Sequence, residues 1–214
     1  MPFADCFDPD AAPWEWIKQI KVALDGLKYS EVPHELPSGV HIEGKVVLHE
    51  SVKLPAFCSI TGPCWIGEGV EIRPGAYIRG NLIAGPNCVL GNSSEFKNCL
   101  LVERVQVPHF SYVGDSVLGA GVHLGAGTIL SNLRLDQKSV HVKVRDSFVD
   151  TGMRKFGAIM GNESETGSNA ALMPGSIVGK KSLIGPVSCF KGVLPEASIW
   201  MEQSQGRVFP RRDI

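Results

Sequence analysis

Counted in sixes from Ile42, the chain places an aliphatic residue at Ile42, Leu48, Leu54, Ile60, Ile66, Ile72 and Ile78 without a miss. The column continues through Ala84, Leu90, Phe96 and Val102, and returns late in the chain at Met160, Thr166, Leu172, Val178, Ile184 and Phe190. A second, smaller column runs two residues upstream, through Val40, Val46, Val52, Cys58, Cys64, Val70, Ala76, Leu82 and Cys88. Two apolar positions separated by one residue share a face of a short strand, and the rest of each hexad turns a corner. Strands this short bury nothing alone. Stacked coil on coil they share one core and pair their backbones at a spacing of about 4.8 Å.

Composition agrees. Aromatic residues make up only 7% of the chain while glycine reaches 24 residues, which suits neither a helical bundle nor a sandwich. Glycine follows the aliphatic at Gly67, Gly85, Gly91, Gly119, Gly125, Gly161, Gly167, Gly179 and Gly185, where it tolerates positive φ and leaves room to bend. The cysteines of the inner column read as small buried hydrophobes. No C-x-x-C and no close Cys/His grouping supports a zinc site.

Charge is nearly balanced, 21 Lys+Arg against 22 Asp+Glu, which gives no reason to expect nucleic acid or an anionic membrane as partner. The first residues, "MPFADCFDPD", lack a signal-peptide pattern, and no apolar run approaches the ~20 residues that span a bilayer. A cytoplasmic protein is expected.

Two segments leave the repeat. Within residues 1–38, Trp14, Ile17, Ile20, Leu24 and Leu27 form a helical stripe, with Asp10 as its expected cap, Pro13 in the first turn and Gly26 as its stop. This helix is expected to pack on the repeat as a cap or at a subunit contact. Residues 133–157 alternate as "VHVKV", predicting a hairpin inside a basic excursion that contains Arg134, Lys138, Lys143, Arg145, Arg154 and Lys155. The organisation expected is a helical extension over 1–38, a β-helix over 39–195 with the insertion 133–157, and a tail over 196–214.

The period also breaks. From Val102 to Val113 is 11 residues and from Val113 to Leu118 is 5, one fewer than the repeat demands in each case. The first interval holds "VPHFSY", so His109 is expected on a constrained bend rather than on an ordinary coil wall.

Here a resemblance enters. "VPHFSYVGDSVLGAGVHLGAGT", with "GNSSEFKN", "NLRLDQK", "DTGMRKFGAIMGNESETGSNAALMPG" and "IGP", resembles the acetyltransferase domain of bifunctional sugar-1-phosphate nucleotidylyltransferase/amino-sugar-1-phosphate acetyltransferases, the archaeal type above all. The resemblance covers roughly residues 65–195. It implies a left-handed parallel β-helix with three hexads per coil, a homotrimer, acetyl-CoA as cosubstrate and an amino-sugar phosphate such as glucosamine-1-phosphate as acceptor. It makes His109 the general base. Tyr112 and Asn132 would contact the sugar, Arg73, Lys97 and Lys138 the phosphate, and Ala126, Ser168 and Pro186 would line the coenzyme A groove. His123 stands where the family usually has Asn just before "[FI]-G-A-G-T", beside the expected site. No nucleotide-binding signature occurs near the start, so uridylyl transfer is not expected of this sequence.

The chemistry asks for these residue types on its own terms. An amine must lose a proton as it attacks a thioester, and a histidine with an ordinary pKa of about 6.5 is suited to take it. The oxyanion needs placed N–H donors, and a dianionic phosphate needs two or three cations. No metal is required for that transfer. Two other readings stay open: a non-catalytic trimeric scaffold or regulator, and acyl transfer to a nucleotide-linked amino sugar. A γ-class carbonic anhydrase would need three histidines around zinc, and the spacings 109–123 and 123–141 do not supply them.

Overall fold

The aliphatic columns become the inner surfaces of a parallel β-helix. In the structure, a computed structural model, residues 3–29 and 36–202 are described. On the first wall Ile60, Ile78, Phe96, Val113, Leu130, Leu172 and Phe190 stack in parallel register. On the second, Leu48, Ile66, Ala84, Leu101, Leu118, Met160 and Val178 do the same, and on the third Ile72, Leu90, Val107, Leu124, Thr166 and Ile184. Cys58, Cys64, Cys88 and Cys99 lie buried among them, and burial pushes the thiols of Cys64 and Cys88 up to about 12. Each fully buried Leu or Ile contributes about 1.5–3 kcal/mol, so the stack is held by summation rather than by any one layer.

The glycines that follow the aliphatics act through space, not through positive φ. A Cβ on Gly161 would stand 2.7 Å from the backbone nitrogen of Lys180 on the next coil, and one on Gly125 would stand 2.5 Å from the carbonyl carbon of Gly167. Positive φ falls later, three residues past each inner aliphatic, at Gly69, Gly75, Asn81, Asn87, Ser93, Arg104 and Phe110.

That column locates the break, and it is not where the periodicity alone puts it. Val102 is off the inner column; Leu101 occupies the position, and Val102 packs outward with the amino-terminal helix. The shortened intervals are therefore Phe96 to Leu101 and Val113 to Leu118, five residues each. At both, the left-handed residue comes two rather than three places after the aliphatic, at Asn98 with φ 49° and Asp115 with φ 47°. The strands Glu95–Leu101 and Tyr112–Leu118 run straight through these corners for seven residues each. They fuse the first two walls into one fourteen-stranded sheet, while the third wall remains a separate seven-stranded sheet among the described residues. His109, in the regular strand Gln106–His109, stands on an unbroken hexad, so the expectation that it occupies the break is corrected.

The helix Glu15–Asp25 lies along the second wall rather than over an end of the coil. Its buried Ile17, Ile20, Ala23 and Leu24 cover the outward residues Ile83, Leu100, Val117 and Ile159. Gly26 ends it. Asp10 does not cap it: Trp14 takes the cap position without a side-chain hydrogen bond, and the Asp10 N–H donates to Asp8 Oδ1 at 2.9 Å. The excursion forms the hairpin His141–Val144 with Ser147–Asp150, and its Val140, Val142, Met153 and Phe156 join the same apolar layer. Coil pairing runs on to Ile199–Trp200, which stacks on Leu183–Ile184 inside the segment expected as a tail.

Candidate active site

Two groups of side chains gather on adjoining corners. The first is built by backbone stacking. The N–H of Phe110 donates to the Asn92 carbonyl at 2.9 Å, that of Gly127 to the His109 carbonyl at 3.0 Å, and that of Asn169 to the Ala126 carbonyl at 2.8 Å. Val187 donates in turn to the Ser168 carbonyl at 2.8 Å, immediately after Pro186. Asn92, His109, Ala126 and Ser168 are thus one file along the helix axis. His109 is exposed, and among the described residues its imidazole makes no hydrogen bond or ion pair; Phe110 beside it is 59% exposed. His123 points outward on the third wall, in register with Gln106 below and Glu165 above, three residues before Ala126.

The second group is built by side chains, one corner further on. Asp115 is only 3% exposed, yet it is a carboxylate. Lys97 Nζ donates to both of its oxygens, at 2.9 Å to Oδ1 and 3.0 Å to Oδ2. Asn98 Nδ2 donates to Oδ1 at 2.8 Å, and Asn132 Nδ2 donates to Oδ2. Asn132 Nδ2 also donates to the Tyr112 hydroxyl at 3.0 Å. Burial, then the charge of Asp115, then that of Glu95 raise the Tyr112 phenol above its ordinary value, so it stays protonated and able to donate. The structure thus joins Lys97, Tyr112 and Asn132 into one network.

The remaining predicted cations are placed apart. Arg73 lies on the third wall, one residue before Pro74, whose carbonyl accepts from Asn92 and Ser93, and it pairs with Glu71 at 2.8 Å. Pro108 is two coils away, about 10 Å along the axis at the usual strand spacing. Lys138 sits exposed on the excursion, and its side chain makes no hydrogen bond or ion pair among the described residues; only its backbone N–H is held, by Asp136 Oδ1 at 3.2 Å. Arg134 is occupied by Asp136 through two hydrogen bonds at 2.8 and 2.6 Å. Among the described residues no three His, Cys, Asp or Glu side chains converge to hold a metal, and no helix is long and apolar enough to cross a membrane.

Sequence reasoning missed Asp115 and Asn98. The signal was present as a spacing of one 17-residue coil, in which Asn81, Asn98, Asp115 and Asn132 recur. A polar residue repeated at the coil length marks a polar file in an otherwise apolar solenoid.

Residues 60–153 match the family described as "GMPPB C-terminal domain". A bifunctional sugar-1-phosphate nucleotidylyltransferase/acetyltransferase of Sulfurisphaera tokodaii is 39% identical over 174 residues, 81% of this chain and 43% of that protein. The bifunctional protein GlmU of Methanocaldococcus jannaschii is 37% identical over 177 residues, 83% of this chain and 43% of that protein. The chain is a relative of the GlmU-type bifunctional proteins. It spans less than half the length of these two relatives. Of solved structures, LpxA from Acinetobacter baumannii superposes with a TM-score of 0.50 at 14% identity, covering 77% of this chain and 66% of that one, which is a likeness of fold alone.

Proposed function

We propose that the protein is an acetyl-CoA-dependent N-acetyltransferase whose acceptor is an amino-sugar phosphate of the glucosamine-1-phosphate kind. The observation that carries this reading is the pairing of the two corners. An exposed histidine with no side-chain partner among the described residues stands three residues from a tyrosine that is hydrogen-bonded into a fixed polar network. The acetyltransferase half of the S. tokodaii relative's name points the same way.

In this reading His109 takes the proton from the acceptor amine as its nitrogen attacks the thioester carbonyl. The C–N bond forms, the C–S bond breaks, and the imidazolium returns the proton to the departing thiolate. Tyr112 and Asn132 orient the sugar. Lys97 keeps one ammonium hydrogen beyond the two given to Asp115 and offers it to the phosphate. The file through Ala126, Ser168 and Pro186 lies against coenzyme A, and the Ala126 N–H stabilises the oxyanion in the "LGAGT" corner, whose Gly125, Gly127 and Thr128 N–H groups are already bonded. His123 borders the acyl site and tunes acceptor choice.

We place the reaction in the cytoplasm and in a homotrimer, with the coenzyme in a groove between neighbouring coils. Light scattering should give three copies; a fully active monomer would remove that element. The reading itself is tested by coenzyme A thiol release from acetyl-CoA against a panel of amino-sugar 1-phosphates, 6-phosphates and nucleotide-linked amino sugars. Turnover on a 1-phosphate well above the others is expected. No turnover on any of them would leave a scaffold or regulator.

A further inference from the structure

We infer that Asp115, to which the family resemblance gives no role, is the positioning residue of the acceptor site, fixing Lys97 and Asn132 from beneath without touching substrate. The inference rests on the proposed acetyl transfer for its kinetic consequences, but its structural content stands apart from it.

A carboxylate offers about four lone-pair positions. At Asp115 all four are used: Oδ1 accepts from Lys97 and Asn98, and Oδ2 from Lys97 and Asn132. With its side chain 5% exposed, it has neither surface nor free lone pair for a ligand. What it does is decide how its partners face outward. Asn132 spends its amide nitrogen on Asp115 and on the Tyr112 oxygen, so its carbonyl oxygen is the part left to accept a hydrogen bond. Tyr112, accepting from Asn132, keeps its own hydroxyl hydrogen to give. Lys97 keeps one N–H. The site therefore shows two donors, from Lys97 and Tyr112, and one acceptor, from Asn132, held on three successive coils.

The broken hexad is what makes this possible. Asp115 can stand at φ 47° because aspartate tolerates the left-handed region better than most residues, and the missing residue draws the corner inward until its side chain is covered. The backbone is held independently: Gly157 N–H donates to the Asp115 carbonyl at 2.8 Å. Side-chain replacement can thus be separated from loss of the coil.

The test is Asp115→Asn in the full chain, which keeps the shape and removes the charge and two acceptor positions. Its crystal structure should show Lys97 and Asn132 displaced by about 1 Å or more over an unchanged coil, a misplacement that typically costs about 10²-fold in rate. The acceptor kcat/KM should fall by about that factor while the acetyl-CoA KM stays within about twofold. Combined with Asn132→Ala, the loss should be no greater than for the larger single change, because both act through one network. Lys97 and Asn132 in their original places, equal effects on both substrates, or multiplying losses would each overturn the assignment. If Asp115→Asn does not fold, Asn98→Gly removes one donor while keeping the left-handed backbone. It should raise the acceptor KM about fivefold, as one lost hydrogen bond implies, and no change would again overturn the assignment. Should the unaltered protein acetylate none of the amino sugars, the proposed function fails while the displaced or undisplaced side chains still decide the role of Asp115.

Discussion

The corner after Val107 and the corner after Val113 follow one another on the same coil and make the same bend by different means. The first keeps its full hexad, turns through Phe110 at φ 49°, and leaves both Phe110 and His109 in solvent. The second is one residue short, turns through Asp115 at φ 47°, and buries a carboxylate under four hydrogen bonds. A regular corner leaves its side chain in solvent while its backbone carbonyl is tied to the next coil. A shortened corner fixes donors and acceptors in place. The difference shows how a solenoid with one repeating plan acquires a site: regular repeats supply the surface, and the lost residue supplies the rigid part.

Predictions follow by breaking each corner in turn. His109→Ala removes an exposed side chain with no partner among the described residues, so turnover should fall about 10²–10⁴-fold with the melting temperature unchanged. Near-normal turnover in a folded variant would show that the regular corner carries no base. At the shortened corner, Lys97→Met should raise the KM for the phosphorylated acceptor about 10–100-fold, the range of a lost charge-assisted hydrogen bond, and leave that for acetyl-CoA nearly unchanged. Equal shifts in both constants would make Lys97 purely structural. Gly125→Ala tests the stacking of the coils beside Ala126. Its Cβ would meet the Gly167 carbonyl carbon at 2.5 Å and the Ser168 nitrogen at 2.6 Å, and should cost about 1–3 kcal/mol with a weaker hold on acetyl-CoA. Calorimetry showing no loss would mean that the two coils part freely. The smallest effect is expected of His123→Asn, since His123 is exposed and belongs to neither corner, standing only at the border of the proposed acyl site. Acceptor ranking or the pH profile should shift, because Asn offers a donor and an acceptor without titrating. Identical ranking and pH dependence would make His123 an ordinary coil residue.

Much of this was legible in the sequence where the repeat is regular. From Ile42 to Ile78 the period is six throughout, and it gives wall and register at Ile42, Leu48, Ile60, Ile66 and Ile78, while Leu54 lies in no strand. It misleads at Leu101 and Val102 because two adjacent aliphatics offer two continuations of the column. The choice depends on a corner shortened at Asn98, which no apolar pattern reports, and on the amino-terminal helix, which gives Val102 an outward apolar contact. The motif singles out His109, Tyr112, Lys97 and Asn132 as candidates, and the last three meet in one hydrogen-bond network. Asp115 sits in the same motif, but its role depends on Lys97 and Asn132, which lie 18 and 17 residues away and meet it only once the coil closes.

The central claim is that the acetyl group passes to an amine nitrogen at the His109 corner. It is tested most directly by incubating the protein with labelled acetyl-CoA and glucosamine-1-phosphate, then counting amide product against thiol released. The account predicts one amide for each thiol from the unaltered protein and almost none from His109→Ala. Thiol release without amide, or equal amide from both proteins, would contradict it.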